Sequence, residues 1–213
     1  MIKFFNITDK ESVEYLDAIE VYKAGTPDEL QIKTEEIEKK IDSKNAVIIL
    51  GKQNILPVFM ALLWKLEGTN FYVNEIISII PSAKRLPLGR IYMEVLKSSE
   101  YLKDNHIIFE VEDPEFGDRE ERQKKLDFYF TQGLSLINEV KTIVPTPNSE
   151  DFTNTLLCVL TNSRFLKISQ SEMKLIITKL YKDLYQQEPD SYLLKTILEN
   201  VPEQIHLLGF LKT

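Results

Sequence analysis

Continuous apolar runs along the chain predict a succession of strands. The first patch, Ile2–Ile7, has the length and composition of a short strand. Runs at residues 46–50, 55–66 and 71–80 are separated by short polar turns, which predicts an antiparallel meander. Three later runs predict further strands, at residues 107–111, 134–143 and 153–161.

Apolar residues at helical spacing predict helices between these strands. Thr8 followed by Glu11 is a capping-box pattern, so the first helix is expected to begin there. The buried face of that helix is predicted to hold Val13, Leu16 and Ile19. Further helices are predicted at residues 28–41, 88–99 and 119–132.

The last part of the chain is predicted to be helical. Ser169 with Glu172 forms a second capping-box pattern, and an apolar stripe follows it until Pro189 breaks the run. A short helix at residues 192–198 precedes a tail, residues 205–211, that fits either strand or coil.

The change of pattern near residue 163 predicts two domains. Residues 1–162 are expected to form an α/β (α+β) domain, with a mixed, mostly antiparallel twisted sheet flanked by helices. Residues 163–213 are expected to form a helical C-terminal extension.

Composition and charge narrow the function classes. The chain has 213 residues, 43% of them hydrophobic, which suffices for a real core. Its net charge of −7 argues against nonspecific binding to duplex nucleic acid, which depends on Lys and Arg. The longest apolar run, residues 55–64, is far shorter than the ~20 residues that cross a bilayer. We therefore expect a cytoplasmic protein with neither nucleic acid nor membrane as partner.

Cysteine usage limits the chemistry further. Cys158 is the only cysteine, so an intrachain disulfide and a cysteine-based zinc site are both excluded. We expect no metal site, and Cys158 lies in an apolar run where an inert core position is the simplest interpretation.

A strand, a basic loop and a helix follow one another between residues 71 and 90. The loop carries Lys84 and Arg85, the helix is predicted to begin near Pro87, and Arg90 lies in its first turn. A helix N-terminus with added cations favours a phosphate or another anion. The alternative interpretation is a solvated basic turn before an ordinary helix.

A second segment completes a family pattern. Residues 107–112 form the predicted fifth strand, and the helix after it contains Lys125, Phe128 and Tyr129, with Gly133 four residues after the Tyr. Together with the order of elements over residues 1–162, these segments resemble the GNAT N-acetyltransferase superfamily. The acyl-CoA loop of that family, R/Q-x-x-G-x-G/A, aligns with residues 84–89.

The resemblance implies direct transfer of an acetyl group from acetyl-CoA, as co-substrate, to a small-molecule or peptide amine. Backbone or side-chain contacts to the cofactor are then expected from Ile77, Ile79, Lys84, Arg85, Leu86, Leu88, Gly89 and Arg90. Tyr129 is the expected general acid toward the leaving thiolate. The candidates for removing the proton of the amine are Glu75 on the fourth strand and Glu110 and Glu112 on the fifth.

One residue departs from the family pattern in a way that matters. Pro87 stands where the motif has a glycine, and proline has no N–H to donate to a pyrophosphate. The loss of one hydrogen bond to a charged group would cost ~1.5–3 kcal/mol of cofactor affinity.

Each candidate also has a structural interpretation. Tyr129 fits a tyrosine that packs on the sheet, Glu75 fits an outward-facing strand residue, and the carboxylates of Glu110 and Glu112 fit a solvated strand end. Two other functions therefore stay open: a catalytically inactive GNAT-like binding or regulatory module, and an α/β domain with another sheet order. The sequence leaves open the acceptor, the acyl chain and the oligomeric state, for which a homodimer is one alternative.

Overall fold

The structure is a computed structural model that describes residues 1–146, 151–163, 166–188 and 190–209. The chain divides into two compact units. The first contains Met1–Lys65 and Tyr72–Ser99, and the second contains Leu66–Phe71, Glu100–Pro145 and the chain from Asp151 onward.

The strands of the first unit form the predicted meander. Strands β1 (Ile2–Ile7), β2 (Ala46–Gln53), β3 (Leu56–Lys65) and β4 (Phe71–Ile79) pair antiparallel in chain order. The strand predictions for this part of the chain are confirmed, with ends that move by a few residues. Asn54, in the left-handed region with φ of 57°, makes the turn between β2 and β3.

Helices cover both faces of this meander. Helix α1 (Val13–Gly25) and helix α2 (Thr34–Asp42) pack through Tyr22, Ile37 and Ile41 onto β2 and β3. Helix α3 (Leu88–Lys97) buries Tyr92, whose ring lies 4.8 Å from the ring of Phe59 on β3. The interior of β3, from Val58 to Leu63, is therefore inaccessible to solvent.

Helix α1 differs from its prediction in two respects. Its N-cap is Ser12, whose hydroxyl accepts from the backbone N–H of Tyr15 at 3.2 Å, so the predicted Thr8–Glu11 capping box is wrong. The Asp9 carboxylate accepts a hydrogen bond from the N–H of Glu11 at 2.9 Å. This local hydrogen bond competes with a helix that begins at Thr8. The predicted buried residues Val13 and Leu16 are exposed.

The predicted helix at 28–41 is also interrupted. A 3₁₀ turn at Asp28–Leu30 precedes a short extended stretch, and α2 begins only at Thr34. Leu30, in the 3₁₀ turn, is about half exposed.

In the second unit, β5 (His106–Glu112) and β6 (Ser135–Pro145) both pair antiparallel with β7 (Phe152–Leu160), which lies between them. Helix α4 (Arg119–Thr131) is capped by Asp118, and Gly133 follows it with φ of 87°. These bounds confirm the predicted strands and helix. A short strand, β8 (Leu207–Leu208), adds to the outer edge of β6.

The C-terminal part of this unit is helical, as predicted. Helix α5 (Gln170–Lys179) begins at the predicted cap, where the Ser169 hydroxyl accepts from the N–H of Glu172 at 3.2 Å. A π-helical turn at Leu180–Leu184 continues it, and helix α6 (Tyr192–Glu199) follows. Pro189 and the last two residues of the predicted tail, 210 and 211, lie outside the described residues. The predicted domain boundary at residue 163 stays a prediction.

Across the described ranges of the chain, none of the helices combines the length and the apolar character that a bilayer crossing requires.

Candidate functional site

The first turn of α3 contains backbone N–H groups that the helix itself cannot pair. Pro87 is the N-cap, and its carbonyl accepts from the N–H of Ile91 at 3.1 Å. The N–H of Leu88 donates to the carbonyl of Leu86 at 2.8 Å in a tight turn. The N–H groups of Gly89 and Arg90 fall in the first turn, where a helix has no partner for them. No side chain in the described part of the chain caps this helix.

Three cationic residues lie in the loop before α3 and in its first turn. Lys84, Arg85 and Arg90 are all exposed. Lys84 directly follows the 3₁₀ turn Pro81–Ala83, which carries the chain from β4 toward α3. The positive end of the helix dipole and the three cations together favour an anionic group at this point.

The predicted cofactor residues of β4 lie in the same unit. Ile77 pairs with Ala61 and Ile79 pairs with Phe59 on β3. The end of α1 approaches this strand so closely that a Cβ on Gly25 would lie 2.7 Å from the carbonyl oxygen of Ile79. Only glycine allows that approach.

A hydroxyl pair fixes the end of α1 to the same strand. The hydroxyls of Thr26, the C-cap of α1, and Ser78 on β4 lie 2.5 Å apart. Ser78 is buried, so the contact ties the loop after α1 to β4.

Glu75 is the extra residue of a β-bulge in β4. Leu62 of β3 pairs with Ile76 and Leu63 pairs with Asn74, which leaves Glu75 without a cross-strand partner. A bulge redirects a side chain that regular alternation would place elsewhere. The Glu75 carboxylate turns inward to α2 and forms an ion pair with Lys40. The interpretation of Glu75 as an outward-facing strand residue is therefore wrong.

The surroundings of this ion pair are largely apolar. Both side chains are almost fully buried, and the Lys40 Nζ lies 5.4 Å from the centre of the Trp64 ring. Burial raises the pKa of Glu75, and the charge of Lys40 acts in the opposite direction without cancelling that rise. The sequence analysis missed Lys40, although its position between Ile37 and Ile41 on the buried stripe of α2 was a usable signal.

In the second unit, Tyr129 of α4 packs against the strands. Its ring centre lies 5.3 Å from that of Phe109 on β5, and 5.4 Å from that of Phe128. Among the described residues, its hydroxyl has no hydrogen-bond partner. Burial raises the pKa of Tyr129 to about 12, so the phenol keeps its proton at neutral pH.

Cys158 on β7 is a neighbour of this tyrosine. It pairs with Phe109 across the strands, it is fully buried, and burial raises its pKa to about 12. The thiol is therefore protonated and inaccessible, which agrees with an inert core position.

The two carboxylates of β5 have different partners. Glu112 lies 3.4 Å from the Nζ of Lys125 and 4.0 Å from the guanidinium of Arg122, both on α4. Glu110 accepts a hydrogen bond from the hydroxyl of Tyr185, which follows the π-helical turn. No sequence signal connected Tyr185 with Glu110, because the contact joins residues 75 positions apart.

The predicted site residues thus fall into two sets. Glu75, the strand residues Ile77 and Ile79, and the loop at 84–90 belong to the first unit. Tyr129, Glu110 and Glu112 belong to the second. Across the described ranges, no cluster of His, Cys, Asp and Glu has the makings of a metal site.

Of the comparisons with known proteins, the one with solved structures identifies a fold. No family model and no curated protein matches the sequence. Among solved structures, a protein of Bacteroides thetaiotaomicron, described as a candidate acetyltransferase of the GNAT family, matches with a TM-score of 0.69 and 23% identity. That match covers 87% of this chain and 99% of the other.

Two further structures extend this result. The ribosomal-protein-S18-alanine N-acetyltransferase of Escherichia coli matches with a TM-score of 0.58 and 14% identity, over 78% of this chain and 97% of its own. A candidate acetyltransferase of Salmonella typhimurium, solved with its cofactor acetyl-CoA, matches with a TM-score of 0.52 and 9% identity, over 78% and 95%. At these identities the likeness is one of fold. The chain has the GNAT acetyltransferase fold, and the resemblance seen in the sequence is confirmed at that level.

The buried ion pair yields a stability prediction. In Lys40→Met the Glu75 carboxylate stays buried without its cation, so we expect a loss of ~3–5 kcal/mol in the free energy of unfolding at neutral pH. Because the folded-state pKa of Glu75 is raised, the fold favours the protonated carboxyl. The loss should therefore be smallest below the ordinary pKa of glutamate and grow as the pH rises through the raised value. Urea unfolding of the wild type and the variant at several pH values measures this loss of free energy.

A surface pair supplies the matched control. Lys10 and Asp42 form an ion pair of 2.7 Å in the same unit, but both side chains are partly exposed. Lys10→Met should leave the free energy of unfolding almost unchanged, because an ion pair at the surface contributes little. Equal losses in the two variants at every pH would contradict the account of the buried pair.

Proposed function

We propose that this chain is an N-acetyltransferase that moves an acetyl group from acetyl-CoA to an amine by direct transfer in a ternary complex. The observation that carries the proposal is the start of α3, where no side chain of the described residues caps the first-turn N–H groups and where Lys84, Arg85 and Arg90 are exposed. In a chain with the GNAT fold, this arrangement suits the pyrophosphate of CoA.

The residues present fit such a co-substrate. Lys84, Arg85 and Arg90 would neutralise its phosphates, and the first-turn amides would donate hydrogen bonds to them. Bound acetyl-CoA supplies an activated acyl group as a thioester. The backbone of Ile77 and Ile79 is the proposed source of an N–H that polarises the thioester carbonyl.

The proposed proton donor is Tyr129. Its phenol is protonated at neutral pH and its hydroxyl is not engaged by other described residues, so it is available to protonate a leaving thiolate. A carboxylate has to accept the proton of the amine, which is mostly an ammonium ion at pH 7. Glu75, Glu110 and Glu112 remain the candidates for this role.

Cofactor binding tests the proposal directly. We expect titration calorimetry to detect acetyl-CoA binding, and the double variant Lys84→Ala/Arg85→Ala to bind it at least ~10-fold more weakly, since charge-assisted bonds to phosphate are lost. Lys97→Ala removes a half-buried cation, paired with Glu94, from the other end of α3 and should leave the affinity unchanged. No binding at millimolar acetyl-CoA would refute the proposal.

A second function is favoured by a specific observation. Pro87 has no N–H, and the N–H of Leu88 is already used by Leu86, so two amides of the loop are lost to a ligand. A GNAT-fold module that binds a partner without catalysis is consistent with this weakened loop.

The variant Pro87→Gly separates the two functions. If the loop is a working cofactor site limited by proline, the restored N–H should tighten acetyl-CoA binding by roughly 10-fold. Unchanged affinity would show that the proline is not limiting. An unchanged lack of amine-dependent CoA release, with a panel of amines, would favour the non-catalytic module.

The role of Tyr129 gives a prediction for catalysis. Tyr129→Phe should lower the rate of acetyl transfer by roughly 100-fold or more, because the general acid is removed. The free energy of unfolding of this variant should change little, because the hydroxyl of Tyr129 bonds to no other described residue. Since the pKa of Tyr129 is about 12, this phenol should produce no alkaline loss of activity below about pH 11 in the wild type.

Tyr192→Phe is the control for that variant, because Tyr192 is 85% exposed on α6. It should keep the wild-type rate. A fully active Tyr129→Phe protein would show that Tyr129 has only a packing role.

A further inference from the structure

The register of β4 decides where its backbone donors point. The N–H of Ile80 donates to the carbonyl of Val58 on β3 at 3.3 Å. Residues 76–79 continue this pairing with β3 without a register shift, and the hydrogen bonds of an antiparallel ladder alternate along the strand. The N–H groups of Ile77 and Ile79 are therefore directed away from β3. Ile77 is exposed, so a ligand can approach this stretch of the strand.

Two contacts hold the same stretch of β4 against the end of α1. The hydroxyls of Thr26 and Ser78 lie 2.5 Å apart, and Ser78 is buried between the two donor residues in the sequence. Gly25 contacts the backbone of Ile79, because a Cβ at this glycine would lie within 2.9 Å of the N, C and O atoms of that residue. The position of residues 77–79 is thus fixed by α1 as well as by β3.

The loop that carries Thr26 is itself held at both ends. The hydroxyl of Tyr22, a buried residue of α1, accepts from the N–H of Ile32 at 2.7 Å and donates to the carbonyl of the same residue at 3.3 Å. The side-chain amide of Gln31 donates to the carbonyl of Thr26 at 2.8 Å. Thr26 therefore presents its hydroxyl to Ser78 from a fixed position.

We propose that Thr26 and Ser78 are positioning residues, whose hydroxyl pair holds β4 so that the N–H of Ile77 or Ile79 is aimed at the thioester carbonyl of bound acetyl-CoA. This inference rests on the proposed acetyltransferase function. It adds two residues that act through the backbone of the strand, and it gives the contact between α1 and β4 a role in the rate of the reaction.

The reason is that a backbone donor is effective only in the right place. The carbonyl oxygen of a thioester gains negative charge in the transition state, so an N–H already aimed at it lowers the barrier without reorganisation. A misplacement of about 1 Å can cost about 100-fold in rate. If the Thr26 hydroxyl is removed, the buried hydroxyl of Ser78 loses its partner, which favours a displacement of the strand toward another one.

The variant Thr26→Val tests the proposal, because it removes the hydroxyl and keeps the branched shape of the side chain. We expect kcat to fall about 10-fold with an unchanged KM for acetyl-CoA, since the donor acts mainly in the transition state. Thr26→Ser keeps the hydroxyl and should retain most of the wild-type kcat. The double variant Thr26→Val/Ser78→Ala should be no slower than Thr26→Val, because a single interaction is lost in both.

A second hydroxyl pair supplies the matched control. The hydroxyls of Thr142 on β6 and Thr155 on β7 lie 2.8 Å apart, and both residues are buried. Thr142→Val should also lower the free energy of unfolding, but it should leave kcat unchanged, since neither strand carries a proposed donor to the thioester. Urea unfolding of Thr26→Val and Thr142→Val shows that both are folded under the conditions of the assay.

Infrared spectroscopy reads the donor without turnover. Acetyl-CoA labelled with carbon-13 at its carbonyl, bound to the wild type in the absence of an amine, should show a lower carbonyl stretching frequency than the free compound, because the N–H polarises the carbonyl. In Thr26→Val a smaller shift is expected at the same affinity. Thr142→Val should show the full shift of the wild type.

The possible results separate this proposal from the proposed function. A Thr26→Val protein equal to an active wild type in kcat and in carbonyl frequency would overturn the role of the pair. So would a Thr142→Val protein that is equally slow, or a Thr26→Ser protein as slow as Thr26→Val. A wild type that binds acetyl-CoA without a frequency shift would overturn the positioning role and leave cofactor binding intact. A wild type that does not bind acetyl-CoA would overturn the proposed function, and this inference with it.

Discussion

The structure of the first unit depends on the burial of β3 from both sides. Its residues from Val58 to Leu63 have almost no solvent-accessible surface, because helices pack on each face of the meander. Helices α1 and α2 supply one cover and α3 supplies the other. This requirement places α3 on the sheet after β4, with the 3₁₀ turn Pro81–Ala83 and a short loop between them. The arrangement of the candidate anion site is therefore a consequence of core formation as well as of the loop sequence.

Much of this architecture could be predicted from the sequence, because it follows from strong local patterns. The unbroken apolar runs of β2 and β3 and the Ser169 cap of α5 gave the right elements. The errors arose where two local options were nearly equal. Thr8 and Ser12 can each cap a helix, and the Asp9 carboxylate decided between them by taking the N–H of Glu11.

The candidate site was less predictable, because long-range contacts determine its chemistry. Alternation along β4 could not place Glu75, since a bulge breaks that alternation and turns the side chain toward Lys40. Tyr185, whose hydroxyl bonds to Glu110, follows a π-helical turn in the C-terminal part of the chain. A sequence pattern that identifies residue types and helical spacing contains no information about either event.

The position of Cys158 has a practical consequence for measuring this protein. It is the sole cysteine of the chain, and it is sealed within the strands of the second unit as a protonated thiol. Aromatic disulfide reagents react with exposed thiolates, so Cys158 of the folded protein should not react with them. The thiol of CoA released during turnover could then be measured by its colour reaction with such a reagent, without background from the protein. A cysteine engineered at the surface would be a unique attachment point for a fluorescent label.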